Sequence, residues 1–151
     1  ATKAVRRPRR REKSIEPYHL EEEEAEQEEV VVDFVFVDPA EIDYHMVKNL
    51  ATDLIDDPTF NNRELAELVV SENNPVGSII KIEGEDDGVG YITALPVHKY
   101  RDQQCIQQIL SFVKQNAQQH GVLTDSKQGA LWQKVLSSER VGLVLNQRLL
   151  N

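Results

Sequence analysis

Beyond residue 29 the apolar residues fall into runs of two clear periods, and these divide the chain into elements. Val30–Val37 (VVVDFVFV) is β-branched and aromatic and predicts a strand. Val30, Val32, Phe34 and Phe36 share one face; Val31, Val35 and Val37 share the other, broken by Asp33. Two largely apolar faces predict a strand covered on both sides. Asp38-Pro39-Ala40-Glu41 reads as a helix start, with Asp38 as cap, Pro39 at the first helical position and Glu41 completing a capping box. Ile42, Met46, Val47, Leu50 and Leu54 follow at helical spacing, and Asp56-Asp57-Pro58 ends that helix. A second helix starts near Asn61 or Asn62, turns Leu65, Leu68 and Val69 inward, and stops at Asn73-Asn74-Pro75.

Ser78–Glu83 and Val89–Leu95 predict a hairpin joined by Gly84-Glu85-Asp86-Asp87-Gly88. Ile106, Ile109, Leu110, Val113 and Ala117 make an amphipathic stripe that His120-Gly121 terminates. Ser126 can cap a further helix carrying Leu131, Trp132, Val135 and Leu136. Arg140–Leu150 closes as a strand, with Val141, Leu143 and Leu145 alternating. The order β–α–α–β–β–α–α–β predicts an α/β layered domain, a mixed sheet with flanking helices. A core strand running to the last residues is an unusual place for a domain to stop, so the chain reads as a truncated piece of a longer protein.

Length and composition agree with one domain: 151 residues, 40% apolar, 6% aromatic. The charge changes the picture more. A formal charge of -9 excludes a uniformly basic nucleic-acid binder. No apolar run approaches the roughly 20 residues of a membrane span, and the charged N-terminus does not read as a secretory signal. The charges are segregated. Residues 1–13 hold seven bases and one acid; residues 16–29 hold eight acids and no base; the remainder has ten bases against 17 acids. Like-charged blocks without apolar surface predict a disordered arm over residues 1–29 and a fold confined to 30–151. Arg6, Arg7, Arg9, Arg10, Arg11 and Lys13 match the short basic clusters that import receptors read, or are a solvated tail, or bind phosphate in competition with the acids beside them. The acids Glu21, Glu22, Glu23, Glu24, Glu26, Glu28 and Glu29 are either solubilising or a sleeve for a basic partner. With Glu83, Glu85, Asp86 and Asp87 of the hairpin loop they are the candidate contacts for such a partner.

Catalytic signals are weak. One cysteine, Cys105, rules out an internal disulfide and a thiolate zinc site, and reads as a small core thiol. His19, His45, His98 and His120 are scattered, without H-x-x-x-H or H-E-x-x-H spacing. The acidic loop lacks the ligand spacing of an EF-hand. Ser137 and Ser138 lack a nucleophile elbow. The G-x-G of Gly88-Val89-Gly90 opens a strand and follows acids that would repel phosphate, so no cofactor is expected. Trp132 reads either as core or as a partner anchor.

The acidic run leading into VDFVFVDPAEIDYHMVKNL, then GSIIK, the acidic gap, GVGYITALPV and SSERVGLVLNQRLLN resemble the BCCIP family in order and spacing over residues 21–151. The resemblance implies the N-terminal half of a protein about twice as long. It implies a fold similar to GNAT-type acetyltransferases, without acetyltransferase activity. It implies a non-enzymatic role: fungal members are escorts for ribosomal proteins and support nuclear export. The partners it implies are a basic large-subunit ribosomal protein, nuclear transport receptors and a phosphatidylinositol-phosphate kinase, in a protein that shuttles between nucleus and cytoplasm. Animal members, named for binding a breast-cancer susceptibility protein and a cyclin-dependent kinase inhibitor, imply instead a cell-cycle and DNA-repair scaffold. A CoA-dependent transferase is the reading from a different class.

Overall fold

The two-residue periodicity becomes four strands: β1 (Phe34–Val37), β2 (Gly77–Ile82), β3 (Gly88–Pro96) and β4 (Gly142–Arg148). They belong to a computed structural model that describes residues 31–149. The strands form one sheet in the order β1-β2-β3-β4, with every neighbouring pair antiparallel. The mixed sheet expected from helices between strands is therefore corrected. The reason lies in the number of helices. A single crossover helix returns the chain to the strand's starting end and gives a parallel partner. Here each long connection holds a pair of helices of two turns or more, which brings the chain back to the end it left. Between β1 and β2 run α1 (Tyr44–Leu50) and α2 (Asn62–Val70); between β3 and β4 run α4 (Gln104–Gln119) and α5 (Ser126–Leu136), preceded by the single turn α3 (Val97–Tyr100).

Register assigns the faces. Val37, Ile79 and Tyr91 stand side by side on the inner face, with Thr93 and Leu145, then Leu95 and Leu143, further along. Ile79, Tyr91 and Leu95 are fully buried there. Above them pack Val47 and Ala51 of the first helical segment, Leu65, Ala66 and Val69 of α2, and Cys105, Ile106 and Ile109 of α4, in one apolar cluster. Each fully buried side chain of this size contributes about 1.5–3 kcal/mol, so this face stabilises the unit.

Local chemistry shifts several boundaries. The Asp38 cap does not form. Instead Asp43 accepts the Ala40 N–H at 3.0 Å, and Glu41–Asp43 wind a 3-10 turn before α1. α2 starts at Asn62, as expected, and Asn61 caps it, accepting from the Glu64 N–H. The α5 cap is Asp125, accepting from the Gln128 N–H at 2.8 Å, not Ser126. Gly121, at φ +71°, ends α4 where the sequence predicts, and the Val122 N–H reaches back to the Ala117 carbonyl. The expectation that the first strand is covered on both sides is also corrected. All four β1 residues are exposed, Phe36 at 66%, because β1 is the sheet's edge and the core cluster lies over β2–β4.

Candidate functional site: the acidic end of the sheet

An antiparallel hairpin places its loop at one end of the sheet. The β2–β3 loop therefore lies at the end where the chain enters β1 and leaves β4. The Asp33 carbonyl accepts from the Glu83 N–H, and the Val89 carbonyl from the Leu149 N–H, which tie these three segments together. Gly84 turns the loop at φ +84°, a conformation that glycine adopts without steric cost. The Glu85 N–H donates to Ile82 O at 3.0 Å. Lys81 holds the loop from the inner side: its Nζ donates to Asp86 O at 2.8 Å and pairs with Asp43 at 3.1 Å.

The side chains of Glu83, Glu85, Asp86 and Asp87 are exposed. Among the described residues, the one ion pair is Lys81–Asp43, so these four carboxylates carry no cation of their own. The structure thus brings together four of the predicted contact residues at a fixed turn. Glu21–Glu24, Glu26, Glu28 and Glu29, the basic cluster Arg6–Lys13 and His19 lie outside the described residues.

Beside the loop is an open cleft of about 800 Å³, lined by Met46, Leu50, Asp53, Asp87, Arg148 and Leu149 among others. Gly88 sits at its wall. A Cβ there would stand 2.6 Å from Met46 Cε and 2.9 Å from Ile79 Cγ2. A Cβ on Gly90 would meet the Gln147 carbonyl oxygen at 2.8 Å. The G-x-G is thus accounted for by packing: one glycine lets α1 approach the hairpin, the other lets β4 approach β3.

The remaining chemistry-bearing residues are dispersed. Cys105 is buried, and its N–H donates to Glu64 Oε2 at 2.6 Å. Burial, then the Glu64 carboxylate, push its thiol from 9.0 up to about 12, so it is a neutral core group. Burial also raises the Tyr91 phenol, which donates to Gln147 Oε1 at 2.7 Å. His45, His98 and His120 are exposed. The Ser137 hydroxyl donates to Lys134 O, and Ser138 Oγ accepts from the Arg140 N–H, both as local turn bonds. Trp132 is half-buried on α5, a helix with no buried residue.

Two polar arrangements escaped the sequence reading. One is the Asp43–Lys81 pair. The other is an amide lock between α4 and the start of α2: Gln108 accepts from the Asn61 N–H at 2.9 Å and donates to Thr59 O at 3.0 Å, while Gln104 accepts from the Asn61 amide at 3.1 Å. The signal for the second was present, as glutamines four apart on the polar side of α4.

Comparison with known proteins agrees with this frame. The BCCIP family profile matches residues 29–151. "Protein BCCIP homolog" of Arabidopsis thaliana is 29% identical over 132 residues, covering 86% of this chain and 39% of the relative. "Protein bcp1" of Schizosaccharomyces pombe is 33% identical over 124 residues, 80% of this chain and 43% of the relative. "Protein BCP1" of Gibberella zeae is 33% identical over 127 residues, 81% and 42%. The chain spans less than half the length of these curated relatives. With the family profile running through every strand and helix of the described unit, the chain belongs to the BCCIP family.

Proposed function

We propose that this chain is part of a non-enzymatic nuclear escort that holds a basic client, such as a large-subunit ribosomal protein, and supports its export. The observation that carries this reading is the acidic end of the sheet. Four exposed carboxylates without partners among the described residues sit on a turn fixed by Lys81, in a chain of net charge -9. Holding the loop in place lowers the ordering cost when a cationic segment docks. Opposite charge speeds the encounter, and nearby apolar surface prolongs the complex. The Glu21–Glu29 run adds negative charge to the same polypeptide. Arg6–Lys13 supply an import signal read by nuclear transport receptors, which gives a shuttling protein. A phosphatidylinositol-phosphate kinase is a second cargo on the family resemblance. The fold belongs, on this reading, with the acetyltransferase-like group while lacking its chemistry. The only G-x-G, Gly88-Val89-Gly90, lies in β3 and packs against Met46, Ile79 and the β4 backbone.

The test is binding of a purified basic ribosomal protein while salt rises from about 50 to about 300 mM, which shortens the screening length from about 14 to about 6 Å. Affinity should fall steeply. Changing Glu83, Glu85, Asp86 and Asp87 together to Gln, Gln, Asn and Asn should flatten that slope. An affinity indifferent to salt and to these four changes overturns the charge-based mechanism.

A further inference from the structure

None of the 11 residues of α5 is buried, whereas α2 and α4 each bury three. Its half-buried side carries Gln128, Gly129, Trp132 and Leu136. Helical spacing gathers Lys127, Leu131, Lys134 and Val135 on another side, at i, i+4, i+7 and i+8. Leu131 is 61% and Val135 40% exposed, and both lysines are exposed. Among the described residues the one ion pair is Lys81–Asp43, so neither lysine has a carboxylate partner. The local sign runs against the rest of the molecule. The chain carries -9, yet residues 126–140 hold three bases and one acid.

This stripe has the form of half a coiled-coil seam. Leu131 occupies a d position and β-branched Val135 the following a position, the combination that favours two strands, and Lys127 and Lys134 both fall at g. Charges at g choose the partner through the residues they face across the seam. We propose that this side of α5 docks an acidic amphipathic helix of another protein, with apolar residues against Leu131 and Val135 and Glu or Asp against Lys127 and Lys134. Two copies of α5 laid antiparallel would set lysine against lysine. A phosphate backbone would use the lysines and leave the leucine and valine without a role. At 11 residues α5 is about 16 Å long, which admits a partner of two to three turns and makes a small, reversible contact. The protein then has two docking surfaces of opposite sign, the acidic loop for a basic client and α5 for an acidic partner.

The experiment uses the full-length protein and two fluorescein-labelled peptides of three heptads, with Ile at a and Leu at d. One carries Glu at e and g, the other Gln. Anisotropy titration at about 50 mM salt should give about fivefold tighter binding of the Glu peptide, the worth of two exposed ion pairs. Lys127→Gln with Lys134→Gln should erase that advantage and leave the Gln peptide unmoved. Leu131→Ser with Val135→Ser should weaken both peptides about tenfold or more. All four positions are exposed, so circular dichroism of both variants should match the parent. Both should also bind a basic ribosomal protein as the parent does, so this surface and the acidic loop stand or fall separately. Equal affinity for the two peptides, or no binding of the Glu peptide by about 1 mM, overturns the proposal. Binding of phosphatidylserine vesicles or duplex RNA in its place, lost with the two lysines, overturns it in favour of a membrane or a nucleic acid. Self-association that is lost in the Leu131→Ser, Val135→Ser variant, with the Glu peptide unbound, overturns it in favour of a second copy.

Discussion

Lys81→Met isolates the clamp beneath the acidic loop. Asp43 is 4% exposed and has two partners, the Ala40 N–H at 3.0 Å and Lys81 Nζ at 3.1 Å. Lys81 is itself shared with Asp86 O at 2.8 Å. Removing one member of a buried ion pair costs about 3–5 kcal/mol, because the other charge stays desolvated. Two features reduce that here. The Ala40 N–H still serves the carboxylate, and the Lys81 side chain keeps 15% of its exposure, which leaves water a path. The expected loss for Lys81→Met is about 2–3 kcal/mol. Asp43→Asn retains an acceptor for Ala40, and the Lys81 ammonium keeps its bond to Asp86 O, so its loss is about 1 kcal/mol. In the double variant no charge is stranded, and the two losses should overlap by about 1 kcal/mol. Urea unfolding followed by circular dichroism at neutral pH measures all three. A Lys81→Met loss of under about 0.5 kcal/mol, additive with Asp43→Asn, would mean that the pair behaves like any surface ion pair and would refute the reasoning.

Gly90→Ala should destabilise by roughly 1–3 kcal/mol because the Gln147 backbone cannot yield, and Gly88→Ala should also destabilise, because the Met46 terminus can swing aside but the buried Ile79 must shift; a neutral Gly90→Ala by urea titration would contradict this. Asp125→Ala should cost about 1 kcal/mol and Ser126→Ala a few tenths, with the reverse order restoring the serine as cap. Cys105 should resist a thiol reagent at pH 8 until the protein is unfolded. Its folded thiol is raised from 9.0 to about 12, so above pH 9 only the unfolded state ionises, and stability should fall as pH climbs through that window. Cys105→Ala should lessen the fall, and an unchanged alkaline slope would assign it elsewhere, Tyr91 being the next raised group.

Elements whose signal is local were legible in the sequence. The stripe on α4 is right in place and in its first half, yet the core takes Cys105 and Phe112 beside Ile106, Ile109 and Leu110, and Val113 is already 40% exposed. Periodicity shows which side of a helix is apolar; it does not show where the opposing layer stops. Strand pairing was misread because the parallel expectation follows from helices lying between strands, whereas the outcome depends on whether their number is odd or even. The hairpin acids were legible because a turn rich in charge has nowhere to go but solvent. The Asp43–Lys81 pair was not, since the two residues meet only once β2 has found its register under the first helix. For the same reason Asp43 displaced Asp38 as cap: it is the acid whose second oxygen has a cation to face.

The meander has a mechanical consequence. The first residue of β1 and the last of β4 lie at one end of the sheet on opposite edges, three strand spacings apart, about 14 Å. Tension applied between those points runs across the strands, along the ladder hydrogen bonds. Such a load opens the bonds of an edge strand one at a time and never shears a whole ladder at once. A translocating motor that grips this unit by its two ends would therefore meet little resistance from a sheet that is otherwise well packed.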